Sequence, residues 1–325
     1  MRIIVFGAGA IGSVLTARLA LAGHAVAMVA RGPHLERIRA DGLAFTAIGG
    51  DRHRLHVEAT ERDIPPGDVV LVTLKSHALR DATVAISQAA QRDGIVVFLQ
   101  NGLPWWYFRD LAGPLRDRPL PTLDPGGVLA RRFPGGGMAG GVVTLAASLI
   151  QPGHVQHTGG LGLTIGRPDG RADDRLAALA AALADAGFQA ELPGDPRPAI
   201  WTKLTGNVSM NGVAALTGAT IGAIWEDDGL RPLVLQLAAE AMRIAAALGC
   251  PISIDQGKRR AAATGSHRSS TLQDIEAGRP IEHEALFGAL LPIARELGVQ
   301  VPGIEMVSAL LRRRALEMGC LPAVA

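Results

Sequence analysis

The chain begins Met1-Arg2-Ile3-Ile4-Val5-Phe6-Gly7-Ala8-Gly9-Ala10-Ile11-Gly12. The run Ile3–Phe6 is apolar and too short for a secretory signal, so it reads as a buried strand. Three glycines follow in the pattern GxGxxG, and Ile11–Ala22 has the length and small side chains of a packed helix. Each glycine has its own task in a strand–loop–helix turn. Gly7 permits the tight turn, Gly9 lets a pyrophosphate approach the backbone, and Gly12 lets the helix pack close to the sheet. With Ala8, Ala10 and Ile11 they form a loop whose N–H groups meet phosphates at the helix start. The pattern alone is weak; its place between a strand and a helix makes it a dinucleotide-binding signal.

Working outward, Ala25–Ala30 is a second strand candidate, and Arg31 follows it directly. An acidic residue here would accept a ribose 2′-hydroxyl and select NAD(H), but none occurs before Glu36. Arg31 instead offers a planar, permanently charged fork suited to a 2′-phosphate, so NADP(H) is the expected cofactor. Val69–Thr73 and Ile95–Leu99 are further strands, with Lys75 and Asn101 just past their ends. Ligands of open α/β sheets sit at the carboxyl edge, which places both residues near the nicotinamide ribose and a reacting carbonyl. Gly141–Ser148 and Gly162–Ile165 read as additional strands. Strands alternating with helices imply an α/β fold with a parallel sheet covered on both faces.

The character changes at the breaker cluster Gly194-Asp195-Pro196-Arg197-Pro198. Residues 1–194 read as a Rossmann-type dinucleotide-binding domain, and 195–325 as an all-helical domain for substrate binding or dimerisation. Helices are expected over about 200–217, 229–248, 255–265, 269–278, 281–297 and 303–317. In the first of these, Lys203, Asn207 and Asn211 are spaced i, i+4, i+8 and drift by only about 40° per step, so they share one face. A lysine and two asparagines amid Leu, Val, Met and Ala form a polar stripe that needs partners. A substrate carboxylate or carbonyl would serve, and a solvated surface stripe is the alternative. Arg268-Ser269-Ser270-Thr271, followed by Glu282 and Glu284, is a second polar cluster. The Pro/Gly-rich 103–140 segment, with Pro104-Trp105-Trp106-Tyr107-Phe108, is long for a loop. It reads as a lid, a dimer contact or a local core.

Totals exclude several classes. Among 325 residues, 32 Lys plus Arg oppose 30 Asp plus Glu, a balance that argues against a nucleic-acid partner. Two distant cysteines, Cys250 and Cys320, give no metal or disulfide spacing. No continuous apolar span of about 20 residues argues for a membrane helix. A cytoplasmic protein acting on a small molecule is expected, with a homodimer as a further expectation from exposed-looking aromatics at 105–108.

These pieces, in this order, resemble the ketopantoate reductase (2-dehydropantoate 2-reductase) family. The matching motifs are the glycine fingerprint with Arg31, Val-Thr-Leu-Lys75, Gln-Asn101-Gly, Trp201-x-Lys203-x-x-x-Asn207-x-x-x-Asn211, and Ser269-Ser270-Thr-Leu-Gln-Asp-Ile-x-x-Gly-Arg-Pro-Ile-Glu282. They span nearly the whole chain, and the last two are the specific ones. The resemblance implies a Rossmann-type domain joined to a helical domain like that of 6-phosphogluconate dehydrogenase. It implies NADPH-dependent reduction of ketopantoate to (R)-pantoate, for pantothenate and coenzyme A synthesis. Lys203 then matches the proton donor, with Glu282 as its catalytic companion. Asn207, Asn211 and Ser270 match substrate-binding positions, and Lys75, Asn101 and Ala147 match NADP-contacting ones. Family members often carry Asn near the position of His267. Reduction of another bulky 2-oxo acid, or a non-catalytic NADP(H) sensor, are the competing readings.

Overall fold

The computed structural model describes residues 1–255, 257 and 267–322, which form two compact units. The first comprises residues 1–100, 105–119 and 124–196; the second comprises 101–104, 120–123 and 197–325.

In the first unit, β1 (Arg2–Phe6) runs parallel to both β2 (Ala25–Val29) and β6 (Gly67–Val72). Ile3, Ile4 and Val5 are fully buried, as expected of a strand covered on both faces, and this is why the run shows no alternation. The strand ends are in register. Phe6 pairs with Val29 and Val72, and Val72 pairs with Phe98 at the end of β7 (Ala90–Phe98). One sheet edge therefore carries the glycine loop, the Ala30–Arg31 step and the 73–75 turn. The helix α1 (Ala10–Leu21) packs its small, buried residues against the same core, and α3 (Leu79–Ala89) and α5 (Asp174–Asp185) belong to the same unit.

The sheet differs from the parallel one expected. Ten strands occur among the described residues, in the order β4-β3-β9-β8-β7-β6-β1-β2-β5, with β10 beside β9. The additional strands are β3 (Leu43–Thr46), β4 (Arg52–Leu55), β5 (Glu58–Thr60) and β10 (Gln189–Glu191). They are three or four residues long, too short to show a period. The strands expected at 141–148 and 162–165 are parts of a long antiparallel hairpin, β8 (Met138–Gln151) and β9 (His154–Gly166). The sheet is thus mixed.

The aromatic cluster of the 103–140 segment is buried. Trp105, Trp106, Tyr107 and Phe108 are at most 6% exposed. Trp105 sits edge-on to Phe98 at 5.3 Å, Phe133 closes on Phe98 at 5.1 Å, and Tyr107 meets Phe108 edge-on at 5.2 Å. Gly140 lies where any side chain would collide with the Trp106 indole. The aromatics are a local core and offer no surface for a dimer contact. Further along, Asp124 caps the short helix α4 (Val128–Arg132) by accepting from the Leu129 and Ala130 N–H groups at 2.9 Å.

The second unit is built around α6 (Arg197–Thr217), which packs against α8 (Leu230–Ala247), α9 (Ser270–Glu276) and α11 (Pro302–Glu317). Helix α6 starts earlier than expected because Pro198 falls in its first turn, where no N–H is needed. Gly212 lies where a side chain would strike Val307 and Phe287, so the helices approach closely there. Two shorter helices complete the unit, α7 (Ile221–Glu226) and α10 (Leu290–Glu296). The expected continuous helix over 281–297 is broken by a π-helical turn, Glu284–Gly288. Most of the helix expected over 255–265 lies outside the described residues. No helix among those described is long and apolar enough to cross a membrane.

Candidate active site

The glycine loop is shaped by its neighbours. Gly7 has φ +117°, in the region that favours glycine, and Gly12 lies where a Cβ would strike the Gly7 carbonyl and Thr73. Thr73 Oγ1 donates to the Gly7 carbonyl at 2.7 Å. At the other extreme Gly9 is exposed, and a Cβ built there would meet nothing within 4 Å. Gly9 is the N-cap of α1, no side chain caps that helix, and its first turn holds no acidic residue. The first N–H groups of α1, from Ala10, Ile11 and Gly12, therefore have no intrahelical acceptor. An uncapped N-terminus beside an open, glycine-lined approach fits a dinucleotide's phosphates. Ala8 is partly buried against the sheet core.

Arg31 is exposed and serves as the N-cap of α2 (Gly32–Asp41), one residue beyond Ala30, which closes the β2 edge. Lys75 is half-buried and precedes a 3-10 turn, Ser76–Ala78. The chain just before it is held by Gln100, whose Nε2 donates to the Val72 carbonyl at 2.9 Å and the Leu74 carbonyl at 3.2 Å. Ala147 lies within β8, paired with His157 and partly buried against the sheet core.

In the second unit, Lys203, Asn207 and Asn211 line one face of α6. Lys203 is half-buried. Burial pulls its ammonium pKa down from 10.5 to about 8, and the negative charge of Glu282 works against that fall. Asn207 Nδ2 donates to Asn101 Oδ1 at 2.8 Å, so Asn101 belongs with this polar stripe. Asn211 is 6% exposed, and its Nδ2 has no hydrogen-bond partner among the described residues. A buried amide donor without an acceptor is a place for a ligand oxygen.

The two serines of the 268–271 cluster divide in role. Ser269, 3% exposed, is the N-cap of α9 and accepts from the Leu272 N–H at 3.2 Å. Ser270 is exposed in the first turn, free of that capping duty. The His267 carbonyl accepts from the Ile221 N–H at 2.9 Å, which ties this loop to the start of α7. Glu282 is half-buried and its carbonyl accepts from Leu286 N–H at 3.1 Å. Beside it, His283 is anchored between Glu284 Oε1 at 2.9 Å and Ser308 at 3.1 Å, which fixes the strand of chain that carries Glu282.

Thr73 and Gln100, which hold the Gly7 carbonyl and the 72–74 turn, are supports that the sequence reading does not single out. Thr73 and Gln100 stand inside the quoted motifs, next to Lys75 and Asn101, so adjacency was the available signal. No group of three or more His, Cys, Asp or Glu side chains among the described residues could hold a metal ion.

Comparison with known proteins points to one family. The family model described as ketopantoate reductase PanE/ApbA matches residues 3–106, and its C-terminal counterpart matches residues 195–315. A 2-dehydropantoate 2-reductase of Mesorhizobium japonicum is 40% identical, covering 98% of this chain and 99% of its own. A crystal structure of a proposed ketopantoate reductase from Ralstonia solanacearum MolK2 superposes with a TM-score of 0.90 at 38% identity, covering 99% of both chains. D-mandelate dehydrogenase, solved with NADH and anilino(oxo)acetate, shares the fold alone, with a TM-score of 0.84 at 19% identity over 98% of this chain and 99% of its own. With a polar stripe on α6, a glycine loop at the sheet edge and full-length relatives of one kind, the chain belongs to the ketopantoate reductase family.

Proposed function

We propose that the protein reduces 2-dehydropantoate to (R)-pantoate with NADPH, as a step of pantothenate and coenzyme A biosynthesis. The observation that carries this reading is Lys203: a half-buried ammonium titrating at about 8, next to the charge of Glu282, on a helix face shared with two asparagines. An acid whose pKa lies near the working pH is best matched to donate a proton in the transition state.

When bound, NADPH supplies the hydride that adds to C2 of the 2-oxo acid. Lys203 stabilises the charge developing on the C2 oxygen and delivers the proton to it. Glu282 keeps the ammonium charged until that transfer. Asn211 Nδ2, buried without a partner, donates to a carboxylate oxygen. Asn207, whose amide is oriented by the bond from Nδ2 to Asn101, offers its Oδ1 to a donor such as a substrate hydroxyl. Ser270 supplies a further exposed hydroxyl. The cofactor is held by the Gly7–Gly12 loop, Lys75 and Asn101, with Ala147 as an apolar contact and Arg31 reading the 2′-phosphate.

The same reading includes a cytoplasmic homodimer. Met306 and Leu310, 63% and 53% exposed and one turn apart on α11, support a self-contact. Sedimentation velocity checks it.

The decisive assay follows NADPH absorbance with 2-dehydropantoate beside a panel of 2-oxo acids. Preferred turnover of 2-dehydropantoate is expected. Preference for another acid moves the reaction to that substrate. Tight NADPH binding with no oxidation by any of them makes the protein a sensor instead.

A further inference from the structure

We propose that Ser13 and His34 are positioning residues that aim the Gly9 backbone N–H at the pyrophosphate of the bound dinucleotide. The inference rests on reading the glycine loop as the cofactor's phosphate site, and it names what holds that loop in its binding shape.

The geometry is a directional chain of hydrogen bonds. The Gly153 N–H, in the turn between β8 and β9, donates to His34 Nδ1 at 2.9 Å. A backbone N–H can only donate, so Nδ1 carries no proton, and a neutral ring must carry its proton on Nε2. Burial pushes the His34 pKa below the usual imidazole value, which favours that neutral ring. Nε2 then donates to Ser13 Oγ at 3.2 Å. The Ser13 hydroxyl, spent as an acceptor there, passes its own hydrogen to the Ala8 carbonyl at 3.3 Å.

The consequence follows from peptide geometry. A trans peptide is planar, so the Gly9 N–H points opposite to the Ala8 carbonyl. Ser13 is fully buried and holds that carbonyl toward the interior, so the N–H faces away from it. Glycine at position 9 would otherwise make a flip of this peptide cheap. Thr73 does the same for the preceding unit by holding the Gly7 carbonyl at 2.7 Å, which turns the Ala8 N–H the other way. Two hydroxyls thus orient two successive loop peptides, and only the second reaches back through a histidine to α2, the helix that Arg31 begins.

The test combines NADP+ calorimetry, steady-state kinetics and amide NMR. Ser13→Ala and His34→Leu each raise the NADP+ Kd and the NADPH KM by about 5- to 10-fold, the size of one hydrogen bond, with kcat within about twofold. His34→Gln, whose amide still donates to Ser13, restores most of the affinity. The double variant Ser13→Ala/His34→Leu binds no worse than Ser13→Ala, because one chain has been cut twice. The Gly9 amide resonance moves on NADP+ addition in the wild type and moves less in Ser13→Ala. Wild-type binding with Ser13→Ala unchanged, or single effects that multiply in the double variant, overturns the inference alone. A wild-type protein that does not bind NADP+ overturns the cofactor reading and this inference with it.

Discussion

Asn207 donates through Nδ2 to the Oδ1 of Asn101 at 2.8 Å, and this bond decides which face of the Asn207 amide remains for a ligand. Asn101 is itself held by an irregular helix. At the π-turn, the Ala289 N–H bonds to the Glu284 carbonyl at 2.9 Å, so the Ala285 carbonyl is released. That carbonyl accepts instead from the Leu103 N–H at 2.8 Å, and the loop bearing Asn101 is seated by it.

The first prediction concerns the substrate's hydroxyl. The bond to Asn101 takes one of the two Nδ2 hydrogens and fixes the amide, so the partly buried Asn207 turns Oδ1 toward a donor, and a site built to hydrogen-bond a hydroxyl loses that bond when the hydroxyl is absent. 2-Dehydropantoate should therefore exceed its analogue lacking the hydroxyl by at least about 100-fold in kcat/KM. Asn207→Leu should reduce that preference to below about tenfold. Kinetics on both substrates check it; equal preference in the two proteins removes the acceptor role.

The second concerns Gly102. Its φ is +85°, and a Cβ there would lie 2.5 Å from the Ala285 carbonyl oxygen. Gly102→Ala should cost about 1–3 kcal/mol, through backbone strain and loss of the Leu103 bond. A thermal melt reads the stability loss. The same variant should lower kcat/KM by weakening the Asn101–Asn207 pair, and unchanged kinetics would separate the loop from the site.

Much of this was legible beforehand, and the reasons are physical. The glycine fingerprint needs glycine at each position for a stated geometric cause, so residues 7–12 announced both fold and loop. Lys203, Asn207 and Asn211 shared a period on an apolar helix, so their common face was readable. The π-turn was not, because it depends on a carbonyl captured by a loop some 180 positions away. Ser13 and His34 were invisible for a similar reason: their bond joins two helices, and Gly153 enters from a hairpin. The aromatics at 105–108 read equally as a lid, a dimer contact or a local core, because the burial that decides for the core depends on Phe98, Phe133 and Gly140, which lie elsewhere in the sequence.

The third prediction is cofactor choice. Arg31 is exposed at the N-cap of α2, so the contribution proposed for it is a charged contact with a 2′-phosphate and not packing. Arg31→Ala should raise the NADPH KM by about tenfold and leave the NADH KM within about twofold. The thermal midpoint should stay unchanged. Equal losses for both cofactors would assign Arg31 to the loop's architecture instead.

The fourth joins Lys203 to Glu282 through pH. In the proposed role of proton donor Lys203 must be protonated, so activity is expected below its pKa and lost as pH rises through it. In the free enzyme that places the falling limb of kcat/KM near pH 8. The Glu282 charge raises the Lys203 pKa against the effect of burial, so its removal must lower it. Glu282→Gln should therefore shift the falling limb to lower pH, whereas a variant that merely loosened the fold would lower the whole profile in place. Lys203→Ala should reduce kcat by about 100- to 10,000-fold while NADP+ affinity stays within about twofold, since the general acid is gone and the phosphate loop untouched. A Lys203→Ala enzyme that keeps its turnover and its falling limb would assign the proton to another group, and a Glu282→Gln limb that moves upward would reverse the sign of the coupling between the two residues.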